Sequence, residues 1–253
     1  MGEGSINDKS ALFGLIGFPL SHSFSKKYFN AKFDKEGYSG HYYELFPIES
    51  IEKLPKLVAT HPNLMGLNVT IPYKEAVLPF LDKINDEAKR IGAVNTIRIK
   101  AGKLEGFNTD VYGFEVSLSE KMNITVAPQA LVLGTGGASK AVAFVFDKLG
   151  IPFRFVSRSK KSGHLTYEDL TPDTIANHSI IVNTTPLGMT PNIDTKPALP
   201  YDSITSGHLL YDLVYNPETT SFLREGIKRG ATTINGLRML HLQAEKAWLL
   251  WNQ

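Results

Sequence analysis

The sequence predicts an α/β fold with two domains and mostly parallel sheets. Its 253 residues suffice for two domains. Apolar runs of strand length alternate with helical patterns in both halves of the chain, which is typical of a mostly parallel sheet. This alternation breaks near Gly106 and restarts at Ala130. We therefore divide the chain near Gly106 and again near Asn235.

In the first half, strand patterns alternate with helical patterns whose apolar residues lie three or four positions apart. The predicted strands are 12–17, 41–46, 64–71 and 92–97. The predicted helices are one through Tyr28 to Gly37, then 49–59 and 74–90, the last with a break near Asp82 left open. A hairpin turn is predicted at 100–103.

The second half begins with a helix through Phe114 and Leu118 and then repeats the strand–helix order. The predicted strands are 130–133, 152–156, 179–183, 208–213 and 232–234, and the predicted helices are 138–149, 219–229 and 237–251. The last helix has no strand partner of its own. It could pack back on the first domain and make that domain discontinuous, although the pattern alone does not require this.

Composition excludes several classes of function. A net charge of +2 gives no reason to expect nucleic acid as a partner. Cysteine is absent, which removes disulfides and thiolate sites and fits a reducing compartment, so we expect a cytoplasmic protein. Apolar runs such as 141–146 are far shorter than the roughly 20 residues of a membrane span. The first ten residues lack the apolar core of a secretory signal.

The stretch GLNVTIPYK at 66–74 places polar groups at the carboxyl end of a strand. Apolar and polar residues alternate until Pro72, which ends the strand because proline cannot donate to a sheet. Lys74 follows at the start of a predicted helix. A second loop of small polar groups, GFNTD at 106–110, supplies Asp110. In open α/β sheets, ligands bind at this edge.

The segment LGTGGAS at 133–139 follows a strand and opens a helix. Glycines in such a turn let the backbone approach a pyrophosphate at the helix N-terminus, where N–H groups favour anions. The G-x-G-x-x-G pattern is imperfect, because Ser139 replaces its third glycine and Gly137 is an extra one. The alternative is an ordinary tight turn, but the strand–turn–helix context favours a Rossmann-like dinucleotide site.

The end of the next strand indicates which dinucleotide. NAD-binding proteins usually place an acidic residue about 20 positions after the glycine turn, on the ribose hydroxyl. Here no acidic residue occurs between Asp147 and Glu168, and SRSKK follows at 157–161. A guanidinium at Arg158 suits a 2′-phosphate, so we predict NADP as the cofactor. The alternative is a solvated basic loop.

Ordered motifs run along almost the whole chain. They are GFPLSHSFS at 17–25, NVTIPYK at 68–74, GAVNT at 92–96, GFNTD at 106–110, GTGGAS at 134–139, NTTPLGM at 183–189, DLVYNP at 212–217 and NGL through QA at 235–244. Together, in this order, they resemble the shikimate dehydrogenase family. The chain differs from many members in ending just after Trp251, where others carry a further helix.

The resemblance implies reversible reduction of 3-dehydroshikimate to shikimate by NADPH, in chorismate and aromatic amino-acid biosynthesis. It implies a substrate-binding catalytic domain over 1–105 and 236–253, and a Rossmann-like NADP-binding domain over 106–235, with a catalytic cleft between them. Small molecules are then the expected partners, with no nucleic acid or membrane, in a monomer or homodimer. No metal is expected, because the seven histidines show no ligand spacing.

Lys74 and Asp110 are the predicted catalytic pair. Reduction of a ketone requires stabilisation of the alkoxide and then a proton, and a positioned ammonium can supply both. Desolvation would lower the lysine pKa from its usual ~10.4, whereas a neighbouring carboxylate would raise it, and the sequence does not decide between them. Asp110 is expected to orient Lys74 and the substrate hydroxyl. The plainer alternative is a surface lysine and a helix-capping aspartate.

The other predicted site residues follow from the motifs. Hydroxyl, amide and phenol groups are expected to bind the substrate carboxylate and ring hydroxyls, at Ser23, Ser25, Asn68, Thr70, Asn95, Tyr215 and Gln243. The expected cofactor residues are Gly134, Thr135, Gly136, Gly137, Ala138, Ser157, Arg158, Ser159, Thr184, Pro186, Met189, Leu213, Gly236 and Asp86. The serines have a plainer alternative as helix-cap or turn residues, the asparagines as partners of the backbone, Tyr215 as a packed side chain and Asp86 as a solvated helix residue. His22 is interpreted as a structural hydrogen-bonding residue.

Two other functions stay open at this point. One is a quinate/shikimate dehydrogenase that uses NAD, against which Arg158 argues. The other is a non-catalytic NADP-binding sensor of the same fold, which would need only the glycine turn. Retention of both Lys74 and Asp110 argues against the sensor.

Overall fold

The computed structural model describes residues 10–20, 23–122 and 127–253. These residues form two compact units. Unit 1 comprises the described residues up to Thr109 together with Ala247–Gln253, and unit 2 comprises Asp110–Lys246. Within the described ranges, no helix has the length and apolar character needed to cross a bilayer.

Unit 1 is built on a six-stranded sheet in the order β2-β1-β3-β5-β6-β4. The strands are β1 Ala11–Gly17, β2 His41–Pro47, β3 Leu64–Val69, β4 Lys83–Ile84, β5 Thr96–Lys100 and β6 Lys103–Phe107. β1 pairs in parallel with β2 and β3, and β4 with β6, whereas β5 runs antiparallel to β3 and β6. The sheet is therefore parallel among β1, β2 and β3 and antiparallel on both sides of β5.

The helices of unit 1 are short and end at recognisable signals. They are α1 Phe24–Glu36, α2 Leu54–Thr60, α3 Tyr73–Ala76 and α4 Asp86–Ile91, with single 3-10 turns at Ile51–Lys53 and Leu78–Phe80. Gly37 and Gly92 end α1 and α4 with φ of 75° and 71°, a left-handed conformation that glycine adopts without strain. The Asn85 side chain caps α4 by accepting from the N–H of Glu87.

Two sequence-based predictions in this unit are wrong in detail. The helix predicted over 74–90 is two helices, α3 and α4, and strand β4 lies between them, at the break near Asp82 that the prediction left open. β4 forms because β6 offers a partner edge, and its two residues carry no periodic signal of their own. The strand predicted over 92–97 starts only at Thr96. Val94 and Asn95 instead donate their N–H groups to Lys74 and Phe107, outside the regular pairing of β5.

Aromatic side chains hold the end of the last helix, α9 Leu237–Trp251, against the unit 1 sheet. The Trp251 ring lies 4.9 Å from that of Phe13 and 5.2 Å from that of Phe29. Its indole nitrogen donates to the carbonyl of Ile97 at 3.0 Å, so the one polar atom of the ring is satisfied in the core. A side chain at Gly66 would lie within 2.3 Å of this indole, which is why the strand below it carries glycine.

Unit 2 is a six-stranded, wholly parallel sheet in the order β12-β11-β10-β7-β8-β9. Its strands are β7 Ala130–Leu133, β8 Phe153–Ser157, β9 Leu165–Thr166, β10 Ile180–Asn183, β11 Leu209–Asp212 and β12 Thr232–Ile234. Counted within the unit, this is the 3-2-1-4-5-6 order of dinucleotide-binding folds. The central strands β7, β10 and β11 are buried throughout, as expected for a parallel sheet covered on both faces.

The remaining helices of unit 2 connect these strands. They are α5 Asp110–Ser119, α6 Gly137–Leu149, α7 Pro172–Ala176 and α8 Ser221–Lys228. β9 and α7 were not predicted, because each is too short to show a period. The strand order reverses between β7 and β10, and ligands of such sheets bind at that point beyond the carboxyl ends. The predicted α/β class with parallel-dominated sheets is confirmed.

Candidate active site

The polar residues predicted in unit 1 gather where strands end. Asn68 lies in β3, Thr70 directly follows that strand, and Asn95 directly precedes β5. Ser25 lies in the first turn of α1, the helix that follows β1. Asn68, Asn95 and Ser25 are buried and Thr70 is half-buried, so their polar atoms need partners within the protein or on a ligand.

Asn95 holds the loop that follows β6. Its side-chain oxygen accepts the N–H of Thr109 at 2.7 Å and the hydroxyl of Thr96 at 3.1 Å, and its amide nitrogen donates to the Thr109 hydroxyl at 3.0 Å. In the same loop, the amide of Asn108 donates to the carbonyl of Ala93 at 3.0 Å. The loop therefore has a defined conformation immediately before Asp110.

Asp110, the first residue of α5, is buried. A carboxylate in a first helical turn is favoured by the helix N–H groups.

Lys74 is half-buried in the single turn of α3. Its carbonyl accepts the N–H of Val94 at 2.7 Å, and the neighbouring Tyr73 donates its hydroxyl to the carbonyl of Ile48 at 2.6 Å. The backbone N–H of Thr70 donates to the carbonyl of Ile16, and the Thr70 carbonyl accepts the N–H of Tyr73. These bonds fix the backbone that carries the ammonium, as a positioned catalytic donor requires.

Ser23 occupies the N-cap position of α1 but makes no side-chain capping bond. The residue is half-buried and its hydroxyl does not cap the helix, contrary to the capping alternative. The motif residues Ser21 and His22, including the structural role predicted for His22, lie outside the described residues. Asp86 is exposed at the start of α4, as its solvated alternative predicts.

The glycine turn of unit 2 fits a dinucleotide pyrophosphate. Gly134 has a φ of 107°, and a side chain there would come within 2.8 Å of the Thr184 hydroxyl. Gly136 caps α6 without any side-chain capping bond, and a β-carbon built on it would meet nothing within 4 Å. The helix N-terminus therefore faces open space through backbone N–H groups, the arrangement that binds phosphate in this fold. Thr135, Gly137 and Ala138 complete the turn.

Arg158 follows directly after β8 and is exposed. The buried Ser157 accepts the N–H of Ser159, which shapes the loop behind the guanidinium. Burial raises the pKa of Tyr167, and the positive charge of Arg158 opposes that rise. A cation at this strand end could hold the 2′-phosphate of NADP.

The loop after β10 is tied to the glycine turn and to β11. Thr184 donates its hydroxyl to the carbonyl of Leu133 at 2.6 Å. Asn183 accepts from both the N–H and the hydroxyl of Thr185 and donates to Asp212 at 3.0 Å. Further along the same loop, Pro186 and Met189 are exposed, so they can face a ligand.

Leu213 and Gly236, both predicted beside the cofactor, lie against each other. A β-carbon at Gly236 would come within 2.0 Å of the Leu213 carbonyl oxygen, so only glycine fits there. Tyr215, further along the same loop, is half-buried, and burial raises its pKa. Gln243 is buried on α9 and donates to the carbonyl of Leu240 at 3.0 Å, so its amide is partly satisfied within its own helix.

Two buried polar residues near these sites were missed in the sequence. Tyr43 donates its hydroxyl to Asn68 at 2.7 Å, yet a tyrosine within a strand pattern only indicates core packing. Asp212 lies at a strand end inside a noted motif, and that position was the available signal. Among the described residues, no three histidine or acidic side chains are grouped as a metal site.

Comparison with known proteins gives a consistent result. Residues 15–97 match the family model described as shikimate dehydrogenase substrate binding domain. A curated shikimate dehydrogenase (NADP(+)) from Methanococcus maripaludis strain C7 is 40% identical in an alignment 262 positions long, gaps included, that covers 97% of this chain and 92% of the relative.

Two solved structures are similar over nearly the whole chain. Shikimate 5-dehydrogenase from Thermus thermophilus, in complex with NADP(H) and shikimate, is 33% identical with a TM-score of 0.83, covering 95% of this chain and 93% of that one. Quinate dehydrogenase from Corynebacterium glutamicum, in complex with NAD, is 29% identical with a TM-score of 0.84, covering 96% and 93%.

The Asp212 carboxylate gives a pH-dependent test of the unit 2 site. It is fully buried and accepts from Asn183, the Val214 N–H and Thr220. Burial raises its pKa from the usual 3.8 to about 6, although these donors oppose the rise. The native state therefore binds the proton more tightly than the unfolded state, and this carboxyl's contribution to stability is lost as pH rises from about 4 to 6. This pKa shift of Asp212 corresponds to a change of about 3 kcal/mol in the free energy of unfolding.

We expect Asp212→Asn to remove this dependence. Urea unfolding of wild type and variant from pH 4.5 to 7.5 should show the wild type losing free energy of unfolding relative to the variant as pH rises. Two parallel pH profiles would contradict the assignment of the raised pKa to Asp212.

Proposed function

The chain belongs to the shikimate dehydrogenase family, and on that premise we propose that it catalyses the NADPH-dependent reversible reduction of 3-dehydroshikimate to shikimate. The observation that carries the proposal is the pairing of two sets of groups in one chain. Unit 1 has buried amides and hydroxyls with Lys74 at strand ends, and unit 2 has an uncapped glycine turn with Arg158. The first set suits a polyhydroxylated ring acid and the second a phosphorylated dinucleotide.

In this proposal the substrate-binding domain comprises 1–105 and 236–253, and the NADP-binding domain 106–235. Ser23 binds the substrate carboxylate through its hydroxyl, together with Tyr215, and Ser25, whose hydroxyl is hydrogen-bonded to Tyr43, binds it through its backbone N–H. Asn68, Thr70, Asn95 and Gln243 bind ring hydroxyls. A cytoplasmic location and a monomeric or homodimeric state belong to the same proposal.

The protein's own contribution to the chemistry is to hold charge and a proton at the substrate oxygen. Bound NADPH supplies the hydride. As the ketone carbon is reduced, negative charge develops on its oxygen, and the Lys74 ammonium stabilises that charge and donates the proton. In this proposal Asp110 orients the ammonium and the substrate hydroxyl. In the reverse direction, Lys74 accepts the proton from the shikimate hydroxyl.

The glycine turn and the loop after β8 would hold the cofactor. Backbone N–H groups of Gly136 and Gly137 would bind the pyrophosphate, and Arg158 would pair with the 2′-phosphate, with Ser159 as a second donor. Thr184, Pro186, Met189, Leu213 and Gly236 would line the nicotinamide side.

The activity can be measured directly with purified protein. We expect shikimate-dependent reduction of NADP, with NAD and quinate both poorer substrates. Efficient turnover of quinate with NAD would favour the quinate dehydrogenase alternative, for which the similar Corynebacterium glutamicum structure is the supporting observation. Binding of NADP without turnover of either acid would favour the sensor.

Arg158→Ala tests whether this residue makes the protein prefer NADP over NAD. It should weaken NADP binding about 10- to 100-fold, because charge-assisted hydrogen bonds to the 2′-phosphate are lost. The affinity for NAD, which lacks that phosphate, should stay nearly unchanged. Arg154→Ala is the matched variant, because Arg154 is exposed on the same strand, three residues before its carboxyl end. Equal weakening of NADP and NAD by Arg158→Ala would contradict the phosphate contact.

The role of Lys74 is tested by Lys74→Ala. We expect kcat to fall by roughly 10²–10⁴, the range for positioned proton-transfer groups, with NADP affinity retained. Lys56→Ala, which removes an exposed lysine of α2, should leave kcat unchanged. Unchanged turnover in Lys74→Ala would remove this residue from the mechanism.

A further inference from the structure

Tyr43 is a fully buried polar residue of unit 1 that the proposed mechanism does not use. Its ring stacks on Phe29 at 4.8 Å and 11°. Its backbone is clamped by the side chain of Asn30, which donates to the Tyr43 carbonyl at 3.1 Å and accepts its N–H at 2.9 Å. Both the ring and the backbone of Tyr43 are thus fixed by α1, so its hydroxyl has one defined position.

That hydroxyl determines how the Asn68 amide is oriented. The Asn68 nitrogen lies 3.4 Å from the carbonyl oxygen of Asn95 and 3.3 Å from the Thr96 hydroxyl. A carbonyl can only accept, so the nitrogen must face Asn95 and the oxygen must face Tyr43. Tyr43 is therefore the donor in the 2.7 Å bond to Asn68. The bonds to the nitrogen are long, which leaves the Tyr43 hydroxyl as the strongest constraint on the amide.

The Tyr43 hydroxyl also has a partner on its other side. The Ser25 side chain is hydrogen-bonded to it and opposes the rise in the Tyr43 pKa that burial causes. Since the phenol proton is committed to Asn68, its oxygen accepts from Ser25. A buried phenol with a raised pKa keeps its proton over the physiological range and acts as a permanent donor.

We propose that Tyr43 is a positioning residue that presents the Asn68 side-chain oxygen as an acceptor for a ring hydroxyl of the substrate. The inference rests on the proposed function. One lone pair of that oxygen takes the Tyr43 proton, and within the described part of the chain no second donor is within bonding distance of it. The group that binds there must itself donate, so this position selects a hydroxyl over a ketone, an ether or a carboxylate.

The first test is the affinity for shikimate, measured by calorimetry on the 253-residue chain. Tyr43→Phe keeps the ring on Phe29 but removes the donor, and should raise the Kd for shikimate about tenfold. The NADP Kd should stay within twofold. Tyr42→Phe is the matched control, because Tyr42 is the preceding residue of β2 and is exposed. It should change neither affinity.

A double-mutant cycle separates positioning from a general loss of structure. If Tyr43 acts through Asn68, adding Tyr43→Phe to Asn68→Ala should weaken shikimate binding less than about twofold further. Additive losses would overturn the proposal, as would a Tyr43→Phe variant with wild-type shikimate affinity or with NADP affinity lost in parallel.

A measurement on the unmodified protein guards against a variant that does not fold. Shikimate analogues with single ring hydroxyls replaced by fluorine keep their size but cannot donate. One of them should bind wild type about tenfold more weakly than shikimate. If all bind within twofold, the acceptor role of Asn68 is wrong. In a folded Tyr43→Phe protein that same penalty should shrink. If the wild-type protein neither binds nor oxidises shikimate, the proposed function is wrong. This result does not depend on any Tyr43 variant.

Discussion

Asn95 joins three segments of unit 1, and the arrangement of the polar groups in this unit depends on it. Its carbonyl accepts the N–H of Val69 at the end of β3, and its N–H donates to Phe107 at the end of β6. Its side chain binds both the N–H and the hydroxyl of Thr109. The residue is buried, so these bonds do not compete with water, and an unpaired group among them would be costly. A single residue thereby holds the ends of two strands through its backbone and the loop before Asp110 through its side chain.

Unit 2 forms its candidate cofactor site mainly from backbone groups, whereas unit 1 uses side chains. Its parallel order places the carboxyl ends of β7 and β10 together at the point where the order reverses. Gly134 must be glycine because of its φ and because Thr184 occupies the space beside it. Gly136 is glycine next to open space, which is where a ligand's pyrophosphate can approach. Two glycines two positions apart thus serve two different purposes, one internal packing and the other access.

Local pattern was enough to predict some elements and not others. The bounds of β7, β12 and α9 were predicted to the residue, because each is long or sharply bounded by turns. β4 and β9 were missed, since strands of two residues depend on a neighbour's edge and not on their own side chains. The site motifs identified Asn68 and Asn95 as polar strand ends. Tyr43 could not be identified, because only the folded sheet shows that its hydroxyl meets Asn68.

A crystal structure of the protein with shikimate tests this account most directly. We expect one ring hydroxyl oxygen within about 3.2 Å of the Asn68 side-chain oxygen and another within that distance of the Lys74 ammonium. Tyr43 should still donate to Asn68. The account would be contradicted if shikimate bound with its ring hydroxyls more than roughly 5 Å from both the Asn68 side-chain oxygen and the Lys74 ammonium, which is beyond hydrogen-bond distance.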